Sequence, residues 1–397
     1  MWQKSKNLYH LFNAALANAW HRRPSRKLKI IGVTGTDGKT TTVNLIYHIL
    51  KTSGQSASMI STVGAVISGE VFDVGFHVTN PDAWKLQQFI KKAVGKDTYL
   101  VLEVTSHGLD QHRVFGIPFA VGVLTNVTHE HLDYHKSFEN YVKTKAKLLF
   151  GSKTAVVNRD DQSYQLIEKL KTQNAKQQSK MQKWITYGFK KDSDVNPQAF
   201  PFKTNLIGQF NKYNCLAAIA ACQALGISDE IIRKSLETFK PPIGRQEIVH
   251  DGEFMVIIDF AHTPNSFLQV LWELSKGKKG RLIHVFGAAG KRDQSKRTVM
   301  GEIAAKYDDI IVLTAEDPRG ESVEKIMDQI AKGMKVKRNV LKITNRKEAI
   351  AKAISLAKKG DIVLLTGKSH EKSMNFGNGE EPWSEYQAVE EALEKIR

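Results

Sequence analysis

A glycine-rich run near the start of the chain has the residue types that hold phosphate. It extends from Gly32 to Thr40 and reads GVTGTDGKT, ending in the Gly-Lys-Thr that closes a phosphate-binding loop. Glycines let backbone N–H groups point at phosphate oxygens, Lys39 reaches the terminal phosphates, and the Thr40 hydroxyl can bind magnesium. The strict pattern has glycine where Val33 stands, so the sequence predicts a variant of this loop.

An acidic residue follows a second buried strand. A magnesium ion on a phosphate-binding loop usually takes a ligand from the end of a neighbouring hydrophobic strand. The run from Tyr99 to Leu102 reads as such a strand, Glu103 follows it at once, and the small polar segment VTSHG comes next. We therefore predict Glu103 as a metal ligand rather than an ordinary surface glutamate.

The elements around these residues alternate as they do in an α/β domain. Leu28 to Val33 reads as a buried strand, and helical spacing follows the loop from Thr41 to Lys51. Further strand patterns lie at Tyr99–Leu102, Val121–Leu124 and Thr154–Val157, and helical patterns at Trp84–Val94, Phe138–Phe150, Asn211–Leu225 and Asp229–Thr238. The alternation predicts a sheet that is mostly parallel.

A break in regular structure marks a domain boundary at Pro241, Pro242 and Gly244. Beyond it, strand patterns at Val256–Asp259, Leu282–Phe286, Ile310–Leu313 and Ile362–Leu365 alternate with helical patterns at Phe267–Ser275, Arg297–Lys306, Val323–Gly333 and Arg346–Lys358. The predicted fold class is α/β. We expect a helical leader over 1–28, a P-loop ATPase-type central domain over 29–240, and a Rossmann-like C-terminal α/β domain over 241–397.

Composition and charge limit the class of protein. The 397 residues are 41% hydrophobic and 25% charged, with no long apolar run and no secretory signal, so we expect a cytoplasmic protein without a transmembrane segment. The net charge is +17, but the basic runs lack interleaved aromatic residues, and we expect no nucleic-acid partner. Cys215 and Cys222 are the only cysteines; they are too few for a four-cysteine zinc site and read as reduced core residues.

Further motifs are distributed from about residue 29 to the end of the chain. They are EVTSHGL at 103–109, Gln111, Arg113, Thr125 with Asn126, HLDYH at 131–135, Lys145, Asn211, Asn214, Gly244 with Arg245, DFAHTP at 259–264, Gly301, DPR at 317–319 and GKSHE at 367–371. Together with the phosphate loop, they resemble the Mur ligase family of ATP-dependent amide-bond-forming enzymes. Within the family, the sequence is most similar to enzymes that add the third amino acid to UDP-N-acetylmuramoyl-L-alanyl-D-glutamate.

The resemblance implies an enzyme of peptidoglycan precursor synthesis. The γ-phosphate of ATP would pass to the side-chain carboxylate of a D-glutamyl residue, and the amine of the incoming amino acid would attack the resulting acyl phosphate. ATP and Mg²⁺ are the implied cofactors. The implied partners are small molecules, namely ATP, a muramoyl-dipeptide acceptor and an amino acid, and the oligomeric state is left open.

The resemblance also implies roles for individual residues. The catalytic residues would be Lys39, Glu103, His131 and Lys145. ATP would be bound by Gly35, Thr36, Asp37, Gly38, Lys39, Thr40, Thr41, Asn211, Asn214, Arg245, Asp259 and His262. The acceptor would be bound by Thr79, Asn80, Thr105, Ser106, Gln111 and Arg113, and the amino acid by Arg292, Asp317, Pro318, Arg319, Gly367 and Glu371.

The implied metal ligands are Thr40, Glu103, His131 and Lys145. Lys145 would act as a carbamate, because an ammonium would repel a metal ion whereas a carbamate offers an anionic oxygen. Arg319 implies meso-diaminopimelate as the favoured amino acid over L-lysine, since an arginine there pairs with the distal carboxylate. The sequence departs from the family pattern at Asn80, Thr105 and Asp317, where threonine, serine and asparagine respectively are usual.

The start of the chain departs furthest from the family. Members of this type have an N-terminal domain that binds UDP, whereas a leader of 28 residues precedes the predicted central domain here, so we expect weaker dependence on the nucleotide end of the acceptor. The leader reads as a helix over Leu8–Trp20. Its apolar face comprises Leu8, Leu11, Phe12, Ala15, Leu16 and Trp20. We expect this face to dock on the body of the protein; the alternative is weak contact with an anionic membrane surface.

Other functions remain open from the sequence. A related ligase acting on a lipid-linked or other UDP-free acceptor also fits, but an amidating subunit of that kind is expected to carry a four-cysteine zinc ribbon. Folylpolyglutamate synthase fits the short N-terminus but not the motifs at Ser106 and Asp317. A non-catalytic nucleotide-binding homologue is the alternative from another class. Four retained site residues argue against it, namely Lys39, Glu103, His131 and Lys145.

Overall fold

The computed structural model describes residues 2–73, 81–128, 130–174, 182–335 and 339–396. It divides into two compact units, Met1–Lys240 and Pro241–Arg397. Each unit has a predominantly parallel sheet with helices around it, so the predicted α/β class is confirmed.

The first unit is built on an eight-stranded sheet. Its strands are β1 (Lys29–Thr34), β2 (Ala57–Ser61), β3 (Gly64–Ile67), β4 (Glu70–Phe72), β5 (Tyr99–Glu103), β6 (Phe119–Leu124), β7 (Ser152–Asn158) and β8 (Lys183–Tyr187). They lie in the order β4-β3-β2-β5-β1-β6-β7-β8, in which β3 runs antiparallel to both of its neighbours, β2 and β4, and all other pairs are parallel. The phosphate-loop strand β1 is therefore central, and its end opens between β5 and β6.

Helices cover both faces of this sheet. They are α1 (Trp2–Trp20), α2 (Lys39–Thr52), α3 (Ala83–Ala93), α4 (Ser106–Asp110), α5 (Leu132–His135), α6 (Phe138–Phe150), α7 (Tyr164–Gln173), α8 (Gln209–Ala224) and α9 (Asp229–Thr238). Ile31 and Val33 face the core formed with α2 and α8, whereas Ile30 faces the core formed with α3. Burial on both sides explains why β1 is almost continuously apolar. As expected, Cys215 and Cys222 are free and buried in α8.

The second unit has a six-stranded sheet and a separate two-stranded one. The strands are β9 (Glu247–Asp251), β10 (Met255–Asp259), β11 (Leu282–Phe286), β12 (Ile310–Leu313), β13 (Val340–Lys342), β14 (Ile362–Thr366), β15 (Ser373–Asn375) and β16 (Glu380–Pro382), and the helices are α10 (Pro264–Gly277), α11 (Ser295–Tyr307), α12 (Val323–Ala331), α13 (Arg346–Leu356) and α14 (Glu385–Glu394). The larger sheet has the order β13-β12-β11-β14-β10-β9, and only β9 is antiparallel.

Helix α1 begins earlier than predicted and docks through a different face. Ala14 and Ala17 are buried with Ala83 of α3, and Asn7 Nδ2 donates to Asp110 Oδ2 at 2.9 Å. Leu8, Phe12, Leu16 and Trp20 of the predicted docking face are exposed. The prediction that this face docks on the body of the protein is wrong, because small alanines allow the helix backbone to approach α3 closely. Of the helices described, none is both long and apolar enough to cross a bilayer.

A fully buried ion pair leads to a prediction about stability in the second unit. Arg346 Nε and Nη2 donate to Glu385 at 2.9 and 2.5 Å, and neither side chain reaches solvent. We expect Arg346→Met to lower the free energy of unfolding by about 3–5 kcal/mol, because it leaves a buried carboxylate without its cation. Urea denaturation measures this change.

The matched control is Lys347→Met on the same helix. Lys347 pairs with Glu391 on the surface, and we expect that change to cost less than about 1 kcal/mol. Equal destabilisation by the two substitutions would contradict the prediction.

Candidate active site

The phosphate loop connects β1 to α2 in the first unit. Gly35 and Gly38 have φ of 154° and 81°, a region that favours glycine. A Cβ atom at Gly35 would lie 1.8 Å from Thr125 Oγ1, and one at Gly38 would lie 2.2 Å from Asn214 Oδ1. Both glycines are therefore required by close approach as well as by conformation.

Residues that follow β6 hold the middle of this loop. The backbone N–H of Asp37 donates to Asn126 Oδ1 at 3.0 Å, while Thr125 Oγ1 and Asn126 Nδ2 donate to the Asp37 carbonyl oxygen at 2.7 and 3.1 Å. Thr125 and Asn126 belong to a motif that the sequence singled out, but they were not among the predicted site residues. They position the loop from the neighbouring strand.

Thr40 and Glu103 lie next to each other, as the strand positions predicted. Parallel pairing places Glu103 of β5 beside Val33 of β1, and Thr40 Oγ1 donates to Glu103 Oε2 at 3.0 Å. Thr62 was not predicted, yet its backbone N–H and its hydroxyl donate to the two carboxylate oxygens of Glu103 at 3.0 and 2.9 Å. No motif marks Thr62 in the sequence. A hydroxyl and a carboxylate side by side are the oxygen ligands that Mg²⁺ prefers.

Two lysine side chains reach the phosphate loop from different elements. Lys39 Nζ donates to the Thr36 carbonyl oxygen at 2.7 Å, and Lys145 Nζ, from α6, donates to the Gly35 carbonyl oxygen at 2.6 Å. The Lys145 side chain is only 1% exposed. Burial, with the Lys39 charge nearby, holds the pKa of Lys145 well below its ordinary value. Its amine therefore loses its proton far more readily than that of a surface lysine.

His131 joins this group through an aromatic side chain. Its ring centroid lies 6.3 Å from that of Tyr141 and 5.0 Å from that of His107. Lys145 Nζ lies 4.4 Å from the centroid of the Tyr141 ring. Burial raises the pKa of Tyr141, so its hydroxyl stays neutral, and it accepts a hydrogen bond from Thr36 Oγ1 at 3.3 Å. The structure thus brings His131 and Lys145 to the same aromatic ring.

The predicted nucleotide residues of α8 also lie at the loop. Asn214 Nδ2 donates to Asn211 Oδ1 at 3.0 Å, and the Asn214 amide is the group that approaches Gly38. Thr41 is buried in the first turn of α2. Helix α8 therefore presents amide groups beside the phosphate loop.

The predicted acceptor residues are placed by the segment after β5. Thr105 Oγ1 caps α4 by accepting from the Gly108 N–H at 3.0 Å, and Ser106 Oγ hydrogen-bonds His135 Nε2 at 3.1 Å. Arg113 Nε and Nη2 donate to Gln111 Oε1 at 3.1 and 2.8 Å. Two further predicted residues, Thr79 and Asn80, lie outside the described part of the chain.

Three predicted nucleotide residues lie together in the second unit. The Asp259 carboxylate accepts from the backbone N–H groups of Gln246 at 2.8 Å and Ala261 at 2.7 Å. Burial raises the pKa of Asp259, and the positive charge of Arg245 opposes this shift. The Arg245 guanidinium carbon lies 4.6 Å from the Phe260 ring centroid, and the centroid of the His262 ring lies 4.8 Å from that of Phe260.

A charged cluster carries the predicted amino-acid residues of the second unit. Asp317 Oδ1 accepts from Lys368 Nζ at 2.9 Å, and Lys368 Nζ also donates to Glu371 Oε2 at 2.6 Å. Arg319 Nη2 lies 3.6 Å from Asp317 Oδ2. Lys368, which was not among the predicted site residues, is buried and connects the two carboxylates.

Close backbone packing joins the remaining predicted residues to this cluster. A Cβ atom at Gly290 would lie 1.8 Å from the Pro318 carbonyl oxygen, so the segment that carries the exposed Arg292 packs directly on Pro318. Gly367 has φ of 100°, and a Cβ there would lie 2.9 Å from Glu316 Oε2. The predicted amino-acid residues therefore lie at neighbouring ends of β11, β12 and β14.

Comparison with known proteins identifies the family of this chain. The Mur ligase middle domain matches residues 33–222, and the Mur ligase glutamate ligase domain matches residues 244–369. UDP-N-acetylmuramoyl-L-alanyl-D-glutamate--2,6-diaminopimelate ligase 1 of Clostridium acetobutylicum is 38% identical over 403 residues, which cover 96% of this chain and 82% of that protein. The chain belongs to the Mur ligase family. The resemblance that the motifs indicated is thus confirmed, and with it the assignment to the ATP-dependent ligases.

Solved Mur ligases share the fold. A structure of UDP-N-acetylmuramoyl-L-alanyl-D-glutamate--2,6-diaminopimelate ligase is 28% identical, with a TM-score of 0.64 over 96% of this chain and 82% of that chain. The MurF ligase of Thermotoga maritima, solved in complex with ADP, is 18% identical, with a TM-score of 0.68 over 96% of this chain and 83% of that chain. The second likeness shows the fold alone, and ATP use fits the family.

Proposed function

We propose that this Mur ligase adds meso-diaminopimelate to UDP-N-acetylmuramoyl-L-alanyl-D-glutamate at the expense of ATP, as a cytoplasmic step of peptidoglycan precursor synthesis. The observation that carries the proposal is the 3.0 Å hydrogen bond between Thr40 and Glu103 at the end of the phosphate loop. It joins two metal-ligand types to a phosphate cradle, which is the arrangement that phosphoryl transfer requires. The name of the Clostridium acetobutylicum relative supports the choice of acceptor and amino acid.

Thr40 and Glu103 would hold Mg²⁺, which when bound neutralises charge on the phosphates of ATP. The oxygens of Thr40 and Glu103 fit Mg²⁺ because this ion prefers oxygen ligands. The described residues contain no group of three or more His, Cys, Asp or Glu side chains that could hold a metal ion. Thr62 holds both carboxylate oxygens of Glu103, so the ligand is oriented before metal binds. Lys39 would place its ammonium at the transferring phosphoryl group, where negative charge must be stabilised.

Lys145 would complete the site as a carbamate. A carbamate forms when a neutral amine adds to carbon dioxide and releases a proton, and the lowered pKa of Lys145 favours the neutral amine. The modification would place an anion close to the positive charge of Lys39. His131, whose ring lies 6.3 Å from that of Tyr141, would be its neighbouring ligand. The carbamate would then supply the negative charge that a metal ion attracts.

The acceptor and the amino acid would be bound by separate clusters. Arg113, oriented by Gln111, is suited to a carboxylate of the acceptor. In the second unit, Arg319 would bind the distal carboxylate of diaminopimelate, and Glu371 would attract an ammonium. L-Lysine has no distal carboxylate, so it would leave the guanidinium of Arg319 without its partner.

Phosphate release over a grid of acceptors and amino acids tests this proposal. We expect turnover that requires both an acceptor and meso-diaminopimelate, with lysine a poor substrate. In Arg319→Ala, we expect transition-state stabilisation with diaminopimelate to fall by roughly 2–4 kcal/mol, because a charge-assisted pair is lost. The ratio of kcat/KM values for the wild type and the variant measures this loss. Activity with lysine should change much less.

The control is Arg233→Ala, which removes an arginine of α9 in the first unit. It should leave both substrates unaffected. Preference of the wild type for lysine, or unchanged selectivity in Arg319→Ala, would contradict the role of Arg319. Nucleotide hydrolysis without acceptor and amino acid would contradict the ligase assignment.

A further inference from the structure

Helix α1 exposes an unusually apolar surface. The α1 patch consists of Leu8, Tyr9, Phe12, Leu16 and Trp20, which are 68%, 65%, 63%, 44% and 77% exposed. These residues recur at helical spacing and lie on one side of the helix. Scattered exposed apolar residues need no explanation, but a continuous stripe of this size marks an interaction site.

The orientation of the α1 patch is set by the opposite side of the helix. Ala14 and Ala17 are buried against α3, and Asn7 is bonded to Asp110. Asn18 is also buried. Its side chain packs closely on Gly116, where a Cβ atom would lie 2.1 Å from Asn18 Nδ2. The helix is anchored on the first unit by this face, so the patch cannot turn inward without breaking those contacts.

A tryptophan of the neighbouring helix extends the α1 patch. Trp84 of α3 is 36% exposed, and its ring lies 6.5 Å from that of Trp20 in an edge-to-face arrangement. Indole rings are amphipathic and prefer the boundary between water and lipid headgroups. The aromatic content of the surface, with Tyr9 and Phe12 included, therefore matches a membrane interface.

Exposed cations flank the α1 patch in the chain. The exposed cations of this segment are Lys6, Arg22, Arg23, Arg26 and Lys27, and no Asp or Glu occurs before Asp37. Each Lys or Arg near an anionic leaflet favours binding electrostatically. Two copies of the chain that met through this surface would instead bring like charges together. Charge complementarity thus selects an anionic partner over a second copy.

We propose that the α1 patch docks the protein on the surface of an anionic lipid bilayer. The helix would lie in the plane of the interface, with its apolar side chains at the boundary between headgroups and acyl chains and its cations among the phosphates. Binding is peripheral, which agrees with the finding that no described helix can cross a bilayer. The proposal is independent of the ligase chemistry, because the α1 patch contains none of the residues assigned to substrates.

Vesicle flotation of the full chain tests this inference. We expect binding to vesicles that contain phosphatidylglycerol and much weaker binding to vesicles of phosphatidylcholine alone. Combining Leu8→Gln, Phe12→Gln and Trp20→Gln should lower the partition coefficient by about tenfold or more, because the apolar contacts are lost. Combining Lys6→Gln, Arg26→Gln and Lys27→Gln should weaken binding to anionic vesicles by about tenfold.

The matched control replaces three exposed apolar residues elsewhere, Val71→Gln, Ile248→Gln and Val299→Gln. It should bind vesicles as the wild type does, with all variants showing the same thermal unfolding. Equal loss of binding in the control, binding to neutral vesicles as strong as to anionic ones, or no binding to either would overturn the proposal. A dimer in sedimentation experiments that the α1-patch variant abolishes would assign the surface to a second copy instead.

Discussion

Lys145→Ala is expected to lose most ligase activity, to retain ATP binding, and to regain part of its activity when small carboxylates are added. The lysine side chain is buried at the phosphate loop, with its Nζ 2.6 Å from the Gly35 carbonyl oxygen. If it serves as a carbamate, the alanine variant lacks one anionic oxygen but keeps the loop itself. Formate or acetate can then enter the space and supply that oxygen.

The expected loss is about 100-fold or more in kcat. Groups that only hold metal ligands in place already contribute ~10–100-fold, so removal of a ligand should cost at least as much. Phosphate release with and without added carboxylate gives the rescue, and nucleotide titration gives ATP affinity. Lys143→Ala is the control, because Lys143 is an exposed lysine on the same helix that pairs with Glu139.

Two outcomes would contradict the carbamate. Full activity of Lys145→Ala would show that the side chain is not needed. Loss of activity without any rescue, together with loss of ATP binding, would show that the lysine supports the loop as an unmodified donor to Gly35.

Lys39→Ala is expected to reduce turnover by about 10³-fold or more. The lysine lies at the start of α2 with its ammonium inside the phosphate loop, 2.7 Å from the Thr36 carbonyl oxygen. Catalysis of phosphoryl transfer is almost entirely positioning and charge stabilisation, so losing this charge removes a large share of it. Lys39→Arg should also be impaired, because a planar guanidinium does not fit a site for a compact ammonium.

Steady-state phosphate release measures this loss, and circular dichroism with thermal unfolding verifies the fold. Lys51→Ala is the control, since Lys51 is an exposed lysine in the last turn of the same helix. Turnover by Lys39→Ala within about tenfold of wild type would exclude Lys39 from the phosphoryl-transfer step.

The local sequence pattern was sufficient to predict the strand and the helix on either side of the nucleotide loop. The apolar run of β1, the glycines and the Gly-Lys-Thr predicted strand, loop and helix, and the structure has them at Lys29–Thr34 and Lys39–Thr52. Such elements are long and strongly patterned, so neighbouring residues determine them. Eight strands were not predicted, namely β2, β3, β4, β8, β9, β13, β15 and β16. Four of them, β4, β13, β15 and β16, are runs of three residues, which have too little periodicity to detect.

The site residues also divide into those that the sequence predicts and those that only the tertiary structure reveals. Glu103 could be predicted because parallel strands end at a common edge, whereas Thr62 reaches Glu103 only through the pairing of β2 with β5. Lys143, Lys145 and Lys147 look alike in the sequence, and only the packing of α6 buries Lys145 while its neighbours stay exposed. Burial lowers its pKa, and a spacing pattern contains no information about burial.

Helix α1 shows most clearly what the sequence by itself determined and what only the tertiary structure decided. Residue spacing determined that the segment is a helix with an apolar face comprising Leu8, Phe12 and Trp20. Which face docks depended on the partner surface, where Ala14 and Ala17 permit close approach to α3 and Asn7 meets Asp110. Apolar residues favour burial only if a complementary surface exists, and the neighbouring surface accepts small and polar side chains instead.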